Sequence, residues 1–336
     1  MAKRRLSQRQ KERIQAIQER RRQKMELRAQ AALEESDDEQ LEEGLVITRH
    51  GQNLVVADQQ GRYIHCLFRQ NIGHVVCGDR VVWQPTTEDG QGVVTAIMER
   101  QSALVRPNFS GEEKPLAANI SQLVIVIAPE PAPSQYLVDQ YLVAAENIGI
   151  KAMIALNKSD LFDETALRQF ERDYSHYSST GYPVIKISAK YEHGLDPLIE
   201  HLKDETNILV GQSGVGKSSL INALLPELDL LTGKLSEASG LGCHTTSATT
   251  LYDLPHGGQL IDSPGVRSFR FGSISKQELE LGFKEFAPFL GSCKFSNCAH
   301  KQEPGCSLRQ AVETGEISIQ RLDNFLHMAD NLQKIF

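Results

Sequence analysis

Eight residues, Gly211-Gln212-Ser213-Gly214-Val215-Gly216-Lys217-Ser218, fill every fixed position of the phosphate-binding pattern G-x-x-x-x-G-K-[ST]. The glycines let main-chain N–H groups close around phosphate oxygens, and a helix starting at the same point turns its positive end toward the same charge. Lys217 can neutralise outer phosphates, Ser218 can place a hydroxyl on Mg²⁺, and Ser219 extends the contact into the helix. A second set, Asn157-Lys158-Ser159-Asp160, reads N-K-x-D. A carboxylate such as Asp160 can accept two hydrogen bonds at once from the ring N–H and exocyclic amine of guanine, a donor pair that adenine lacks. Asn157 would brace the neighbouring loop, and the Lys158 stem would cover the base face. Ser188-Ala189-Lys190 can direct a backbone N–H at the guanine carbonyl.

Beyond the phosphate loop, Thr245 or Thr246 can offer a hydroxyl to Mg²⁺ and an amide to a γ-phosphate, so loss of that phosphate would release the segment. Asp262-Ser263-Pro264-Gly265 is a D-x-x-G pattern in which Asp262 would hold Mg²⁺ through water and the Gly265 amide would touch the γ-phosphate. The residue after it is Val266, whose apolar side chain cannot orient an attacking water; His244 is the candidate for that role, with Thr246 and Lys217 as the other catalytic groups. Residues 233–246, rich in Gly, Ser and Thr, are expected to be mobile. A third set, Cys293-x4-Cys298-x-His300-x5-Cys306, offers three thiolates and an imidazole, a closed tetrahedral shell for one structural Zn²⁺ with no position left for catalysis.

These residues need elements to hold them. From Ser121 onward, apolar runs alternate with amphipathic stretches: strands over Ser121–Ala128, Lys151–Leu156, Pro183–Ile187, Thr206–Val210 and Gln259–Ile261, and helices over Tyr136–Ile148, Asp163–Ser175, Leu195–Leu202 and Ser219–Leu225. That rhythm implies a mostly parallel sheet with helices on both faces, and the chemical residues fall at strand ends, where such sheets bind ligands. The motif order is shuffled, guanine-reading motifs first and phosphate loop afterwards. Strand-end loops converge in space whatever their chain order, so a circularly permuted domain can assemble the same site.

Upstream, residues 44–105 read as about five short strands, Leu45–Arg49, Asn53–Ala57, Arg62–Phe68, Asp79–Gln84 and Gly92–Met98, separated by turn residues; this suits a small oligonucleotide-binding (OB-type) β-barrel. Arg62, Tyr63, Phe68, Arg69, Arg80 and Trp83 could stack on bases or meet phosphates. Residues 106–119, with Pro107, Gly111 and Pro115, read as a linker. Lys276–Phe286 and Ser318–Lys334 read as amphipathic helices flanking the cysteine cluster.

Composition sets the outer limits. With 336 residues, two or three domains are expected. The 40% apolar and 24% charged content is that of a globular protein, and no apolar run approaches a membrane span. The net charge of −7 conceals a segregated N-terminus: residues 1–30 carry eleven Lys/Arg against three Glu, and residues 34–43 carry seven acids. Such an arm is a candidate RNA contact. Without a signal-peptide pattern, a cytoplasmic protein is expected, and clustered cysteines there favour metal over disulfides.

A permuted N-K-x-D, S-A-K, G-x-x-x-x-G-K-S, H-T-T, D-x-x-G series, preceded by a barrel and followed by a Cys-Cys-His-Cys knuckle, resembles the bacterial ribosome small-subunit-dependent GTPase A (RsgA) family. The resemblance covers nearly everything from residue 44 onward. It implies a GTPase of late small-subunit maturation that binds ribosomal RNA (rRNA) through barrel and zinc module and is stimulated by the subunit, with GTP/GDP and Mg²⁺ in its site, acting as a monomer without membrane attachment. It also implies that His244 matches the family's switch histidine and that Cys293, Cys298, His300 and Cys306 match its zinc ligands. The expected layout is an extension (1–43), the barrel (44–105), a permuted GTPase domain (106–272) and a helical zinc-binding module (273–336). The competing readings are a P-loop ATPase or kinase, and an RNA-binding assembly factor in which GTP hydrolysis is only a timer.

Overall fold

The computed structural model describes residues 41–69, 72–107, 113–191, 193–239, 248–263 and 274–332. The basic arm lies outside them. The chain begins with β1 (Glu42–His50), β2 (Asn53–Ala57), β3 (Tyr63–Phe68), β4 (Arg80–Pro85) and β5 (Gln91–Ile97), at the five places their alternation indicates. Next come β6 (Ala103–Pro107), β7 (Glu113–Ala118), β8 (Gln122–Ile127), α1 (Gln135–Ile148), β9 (Lys151–Leu156), α2 (Glu164–Ser179), β10 (Val184–Lys186), α3 (Asp196–Leu202) and β11 (Thr206–Val210). After the phosphate loop follow α4 (Lys217–Leu224), α5 (Leu228–Ser239), β12 (Thr250–Asp253), β13 (Gln259–Asp262), α6 (Lys276–Leu281), α7 (Ser307–Glu313) and α8 (Ile319–Leu332). These form two compact units. One holds the described residues up to Arg100 together with Pro226–Tyr252; the other holds Gln101–Leu225 together with the described residues from Asp253.

In the first unit, β1 pairs with β2 and β2 with β3, β3 runs parallel to β5, and β5 pairs with β4, which returns to β1. The ring is closed, the arrangement of an OB-type barrel. A register shift between Val46 and Thr48 lets β1 bend between two neighbours. Its interior is Val46, Leu54, Val56, Ile64, Cys66, Val81, Trp83 and Val94. Trp83 is therefore core, 2% exposed, and cannot stack on a base as its residue type suggested. Arg62 is bound to Asp58 at 2.7 Å, and Phe68 is half-buried beneath the Arg49 guanidinium. Arg69 and Arg80 are exposed cations of that group and remain open to phosphate.

The segment that follows the phosphate-loop helix also belongs here. α5 packs on β2 and β3, and the Thr48 hydroxyl donates to the Thr249 carbonyl at 3.1 Å as β1 pairs with β12. Residues 233–239, expected to be mobile, complete α5; a Leu-rich pattern starting at Leu228 carries the helix through Gly233. Residues 240–247 lie outside the described residues.

In the second unit, β10, β9, β8, β11 and β13 form a parallel sheet in that order. β8 is buried along its whole length: Leu123–Ile127 is an apolar run suited to a central parallel strand, and the Gln122 side-chain amide is satisfied by the His201 carbonyl at 2.7 Å and Asn207 Oδ1 at 2.8 Å. Ser134 caps α1 by accepting from Leu137 N, and Asp163 caps α2 by accepting from Ala166 N at 2.7 Å. The expected linker is instead a two-stranded ribbon, β6 against β7. Pro115 is tolerated because it stands opposite an irregularity between Leu104 and Val105, where the regular ladder is already broken.

The C-terminal part builds its own core on α1. The helix expected over Lys276–Phe286 breaks after Leu281 and resumes as a 3-10 segment, Lys284–Phe289. The break turns Phe283 and Phe286 inward together, ring centroids 4.9 Å apart, against Phe325 of α8. Beside them Arg321, 1% exposed, bonds Asp139 of α1 at 2.7 Å and the Glu285 carboxylate at 2.5 and 2.9 Å. Asn324 and Tyr177 complete the Asp139 shell at 2.6 and 2.7 Å. Such a buried charge cluster persists because each charge is paired and hydrogen-bonded.

Candidate nucleotide site and metal centre

At the end of β11 the chain turns through Gly211 (φ 136°) and Gly216 (φ 96°) before entering α4. A side chain at Gly211 would meet the Val126 carbonyl at 2.1 Å, and one at Gly216 would meet Asn157 Nδ2 at 2.4 Å. Both positions need glycine for conformation and for space. Lys217 Nζ folds over the loop and donates to the Gly211 and Gln212 carbonyls at 2.7 and 2.6 Å. Ser213, Gly214, Ser218 and Ser219 are exposed, while Val215 is buried as the loop's anchor.

The N-K-x-D residues follow β9 and lie directly on this loop. Asn157, 2% exposed, donates from Nδ2 to the Val215 carbonyl at 2.9 Å. Its buried Oδ1 has no partner among the described residues. Lys158 Nζ donates to the carbonyls of Gly214 at 2.7 Å and Glu130 at 3.2 Å. Ser159 begins a 3-10 turn and donates its amide to Ile187 O at 3.1 Å, which binds this loop to the strand leading into S-A-K.

Asp160 accepts from the Ser188 hydroxyl at 2.7 Å and pairs with Lys190 at 3.6 Å. The Ser188 bond, helped by the Lys190 charge, holds the Asp160 carboxyl below the usual carboxylate range. Ser188 also accepts the Lys190 amide at 3.3 Å, and Ala189 lies between them. Three motifs separated by up to 61 positions, from Asn157 to Ser218, thus meet at the C-terminal edge of one parallel sheet.

Asp262 ends β13, the neighbour of β11 on the same sheet. His244, Thr245, Thr246, Gly265 and Val266 lie outside the described residues. Two contributors were not legible as site residues: Glu130, which acts through its carbonyl, and Tyr141 of α1, whose hydroxyl is hydrogen-bonded by the Gly211 backbone. Neither position carries a motif. A main-chain acceptor has no sequence signature, and Tyr141 reads as an ordinary apolar-face residue of α1.

In the C-terminal part, the ligand atoms of Cys293, Cys298, His300 and Cys306 all lie within 4.8 Å of one another. His300 turns Nδ1 to the sulfurs, 3.6 Å from Cys293 Sγ and 3.4 Å from Cys306 Sγ. Amides aim at sulfur too: His300 N at Cys298 Sγ and Ser307 N at Cys293 Sγ, both at 3.4 Å. Although burial opposes it, hydrogen bonds from the Ser307 hydroxyl and amide bring the Cys293 thiol below its ordinary range. Soft donors gathered to this spacing, with N–H groups directed at thiolate charge, fit a tetrahedral metal ion.

The fold and the two sites together define a circularly permuted P-loop domain joined to an OB-type barrel and a Cys3His knuckle. Residues 97–272 match the family model "RsgA GTPase". A small ribosomal subunit biogenesis GTPase RsgA of Hahella chejuensis is 48% identical over 99% of this chain and 98% of its own length. The corresponding protein of Alcanivorax borkumensis is 47% identical over 99% and 97%. Among solved structures, YjeQ from Thermotoga maritima superposes with a TM-score of 0.73 at 34% identity, covering 88% of this chain and 99% of that one. YloQ, described as a circularly permuted GTPase, gives 0.71 at 30% identity over 89% and 97%. The chain belongs to the RsgA GTPase family.

Proposed function

We propose that this protein hydrolyses GTP as an assembly factor in late maturation of the small ribosomal subunit, binding its rRNA and being activated by it. The observation that carries the nucleotide half is the contact between motifs: Asn157 and Lys158 bond the carbonyls of Val215 and Gly214, so a base held by Asp160 and phosphates held by the loop belong to one molecule. On this reading Asn157–Asp160 and Ser188–Lys190 hold guanine, and Gly211–Ser219 hold the phosphates. Ser218, Thr246 and Asp262 would take Mg²⁺, which when bound offsets phosphate charge. The unpartnered Asn157 Oδ1 and the Ser188-held carboxylate suit a polar base edge better than an apolar ligand. Thr245, Thr246 and Gly265 would sense the γ-phosphate, and His244 would orient water where Val266 cannot.

Cys293, Cys298, His300 and Cys306 would hold one structural Zn²⁺, all four positions being protein ligands. The relatives' names carry the small-subunit half. No described helix is long and apolar enough to cross a membrane. A cytoplasmic, monomeric protein is the simplest setting for such a factor.

The test is GTP turnover with and without purified small ribosomal subunits, with large subunits as control. Small subunits are expected to raise turnover at least about tenfold, because a partner that orders a catalytic group acts on the chemical step. Equal turnover with neither, either or both subunits would remove the ribosomal assignment.

A further inference from the structure

We infer that Glu280 positions His300 for the metal and that Lys276 holds Glu280 in place; the inference rests on the zinc reading above. α6, which carries both residues, is short but firmly set. Ser275 and Glu278 form a reciprocal capping box, with Glu278 N donating to Ser275 Oγ at 3.1 Å and Ser275 N to Glu278 Oε2 at 2.7 Å. Leu279 is wholly buried and anchors the helix in the Phe283–Phe325 core. Spacing of four residues puts Lys276 and Glu280 on one face, where Lys276 Nζ meets Glu280 Oε1 at 3.2 Å.

That same Oε1 lies 3.4 Å from His300 Nε2. An imidazole that gives Nδ1 to a metal as a lone-pair donor must carry its proton on Nε2, and a carboxylate facing Nε2 favours that tautomer and fixes the ring. Here Nδ1 faces the sulfurs and Nε2 faces Glu280, which are the two halves of that arrangement. Lys276 also ties the helix to the knuckle at a ligand residue, since its ammonium donates to the Cys298 carbonyl at 2.7 Å. The same ammonium offsets the Glu280 charge beside a shell that three thiolates make anionic. The Ser307 hydroxyl and amide serve Cys293 from the other side. α6 is the first described element beyond β13, so the chain leaving the nucleotide pocket enters the metal centre through this pair.

The experiment uses the full chain. Metal content by mass spectrometry comes first: one zinc per wild-type chain is expected, and a wild type purified without metal would remove the zinc reading itself. Given a zinc-loaded wild type, competition with the chelating dye 4-(2-pyridylazo)resorcinol is expected to show Glu280→Ala binding zinc roughly 10–100-fold more weakly. Glu280→Gln keeps the shape with a neutral acceptor and is expected to fall between. If Glu280→Ala does not fold, Glu280→Gln decides alone, since a residue that only packs would let it bind zinc like wild type. Wild-type zinc affinity in Glu280→Gln therefore overturns the inference. Long-range ¹H–¹⁵N spectra of His300 provide a second reading: Nδ1 bound to metal and Nε2 protonated is expected, and metal on Nε2 overturns it.

Discussion

The nucleotide pocket and the metal centre stand in one compact unit but are built on opposite principles. The pocket takes single residues from the ends of separate strands and works largely through main-chain atoms: the Lys158 and Lys217 ammonium groups bond four backbone carbonyls, and Asn157 bonds a fifth. Several of its residues face solvent, as a site that admits and releases a ligand must. The metal centre draws four side chains from fourteen residues, with three of them buried and amides aimed at the sulfurs. A parallel sheet would hold the pocket's outline without any ligand, whereas in the knuckle the four ligand groups themselves crowd within 4.8 Å of one another at the edge of the C-terminal core. On the proposed reading, the nucleotide is a visitor to a finished frame and the metal is part of the frame.

The sharpest way to break that contrast is to remove the metal. Cys306→Ser, or exhaustive chelation, takes away an interaction that in small zinc modules supplies about 10–16 kcal/mol of folding free energy. The expected result is loss of a cooperative C-terminal transition in thermal melts followed by circular dichroism, with GDP affinity changed far less. If GDP binding were lost in step with the metal, the two regions would be one structure and the contrast would fail.

Next in size is the joint between them. Arg321 of α8 is buried against Asp139 of α1 and Glu285, and Arg321→Ala would strand two carboxylates out of water. Breaking one partner of a buried pair costs about 3–5 kcal/mol, so chemical denaturation should show a loss of that order. Asp139 is largely desolvated, and burial pushes its carboxyl above the ordinary range; the Arg321 charge is what chiefly opposes this. A loss below about 1 kcal/mol would mean that water reaches the site and that the module is held to α1 by its phenylalanines alone.

How far each region could be read from sequence follows from the same contrast. The Cys/His spacing is local, so the knuckle's four ligands are visible in one line of sequence, yet Glu280 and Lys276 are not, because carboxylate and amine at four-residue spacing look like any exposed helical pair. In the pocket the reverse holds. Asn157, Asp160, Lys217 and Asp262 were legible as chemistry wherever they fell, but their meeting depended on the strand order, which the alternating pattern implies only in outline. The barrel strands were legible from alternation, while the side of the sheet each aromatic occupies was not, which is why Trp83 looked like a base platform and is core. Helix α5 was hidden because Gly233, Ser236 and Ser239 suggested a loop, and the apolar residues that stabilise it against β2 and β3 have no signal apart from the barrel they meet.

Lys217→Ala should separate catalysis from stability. The ammonium bonds two carbonyls of its own loop and no core element depends on those bonds, so the melting temperature should stay close to wild type. Removing a charge directed at a transferring phosphoryl group typically costs about 100–1,000-fold in turnover. A variant that hydrolysed GTP at the wild-type rate would show that the phosphate loop is not the catalytic frame.

The smallest expected effect is the most specific, because it concerns one hydroxyl. Ser188 donates to Asp160 Oδ1 at 2.7 Å, and this bond is the main cause of the lowered Asp160 pKa. Guanine pairs with the ionised carboxylate, so affinity should be full above the Asp160 pKa and decline as pH falls through it. In the wild type that decline lies below the usual carboxylate range, since the folded-state pKa is lowered. Ser188→Ala removes the donor, lets the pKa rise toward its ordinary value and moves the acid limb of GDP binding to higher pH, with a loss of roughly three- to tenfold near neutrality from the less firmly held carboxylate. Isothermal titration with GDP across the acid range reads both quantities. An acid limb that stayed in place would mean that Lys190, 3.6 Å away, and not Ser188, keeps Asp160 charged, and the double variant with Lys190→Met would then carry the whole shift.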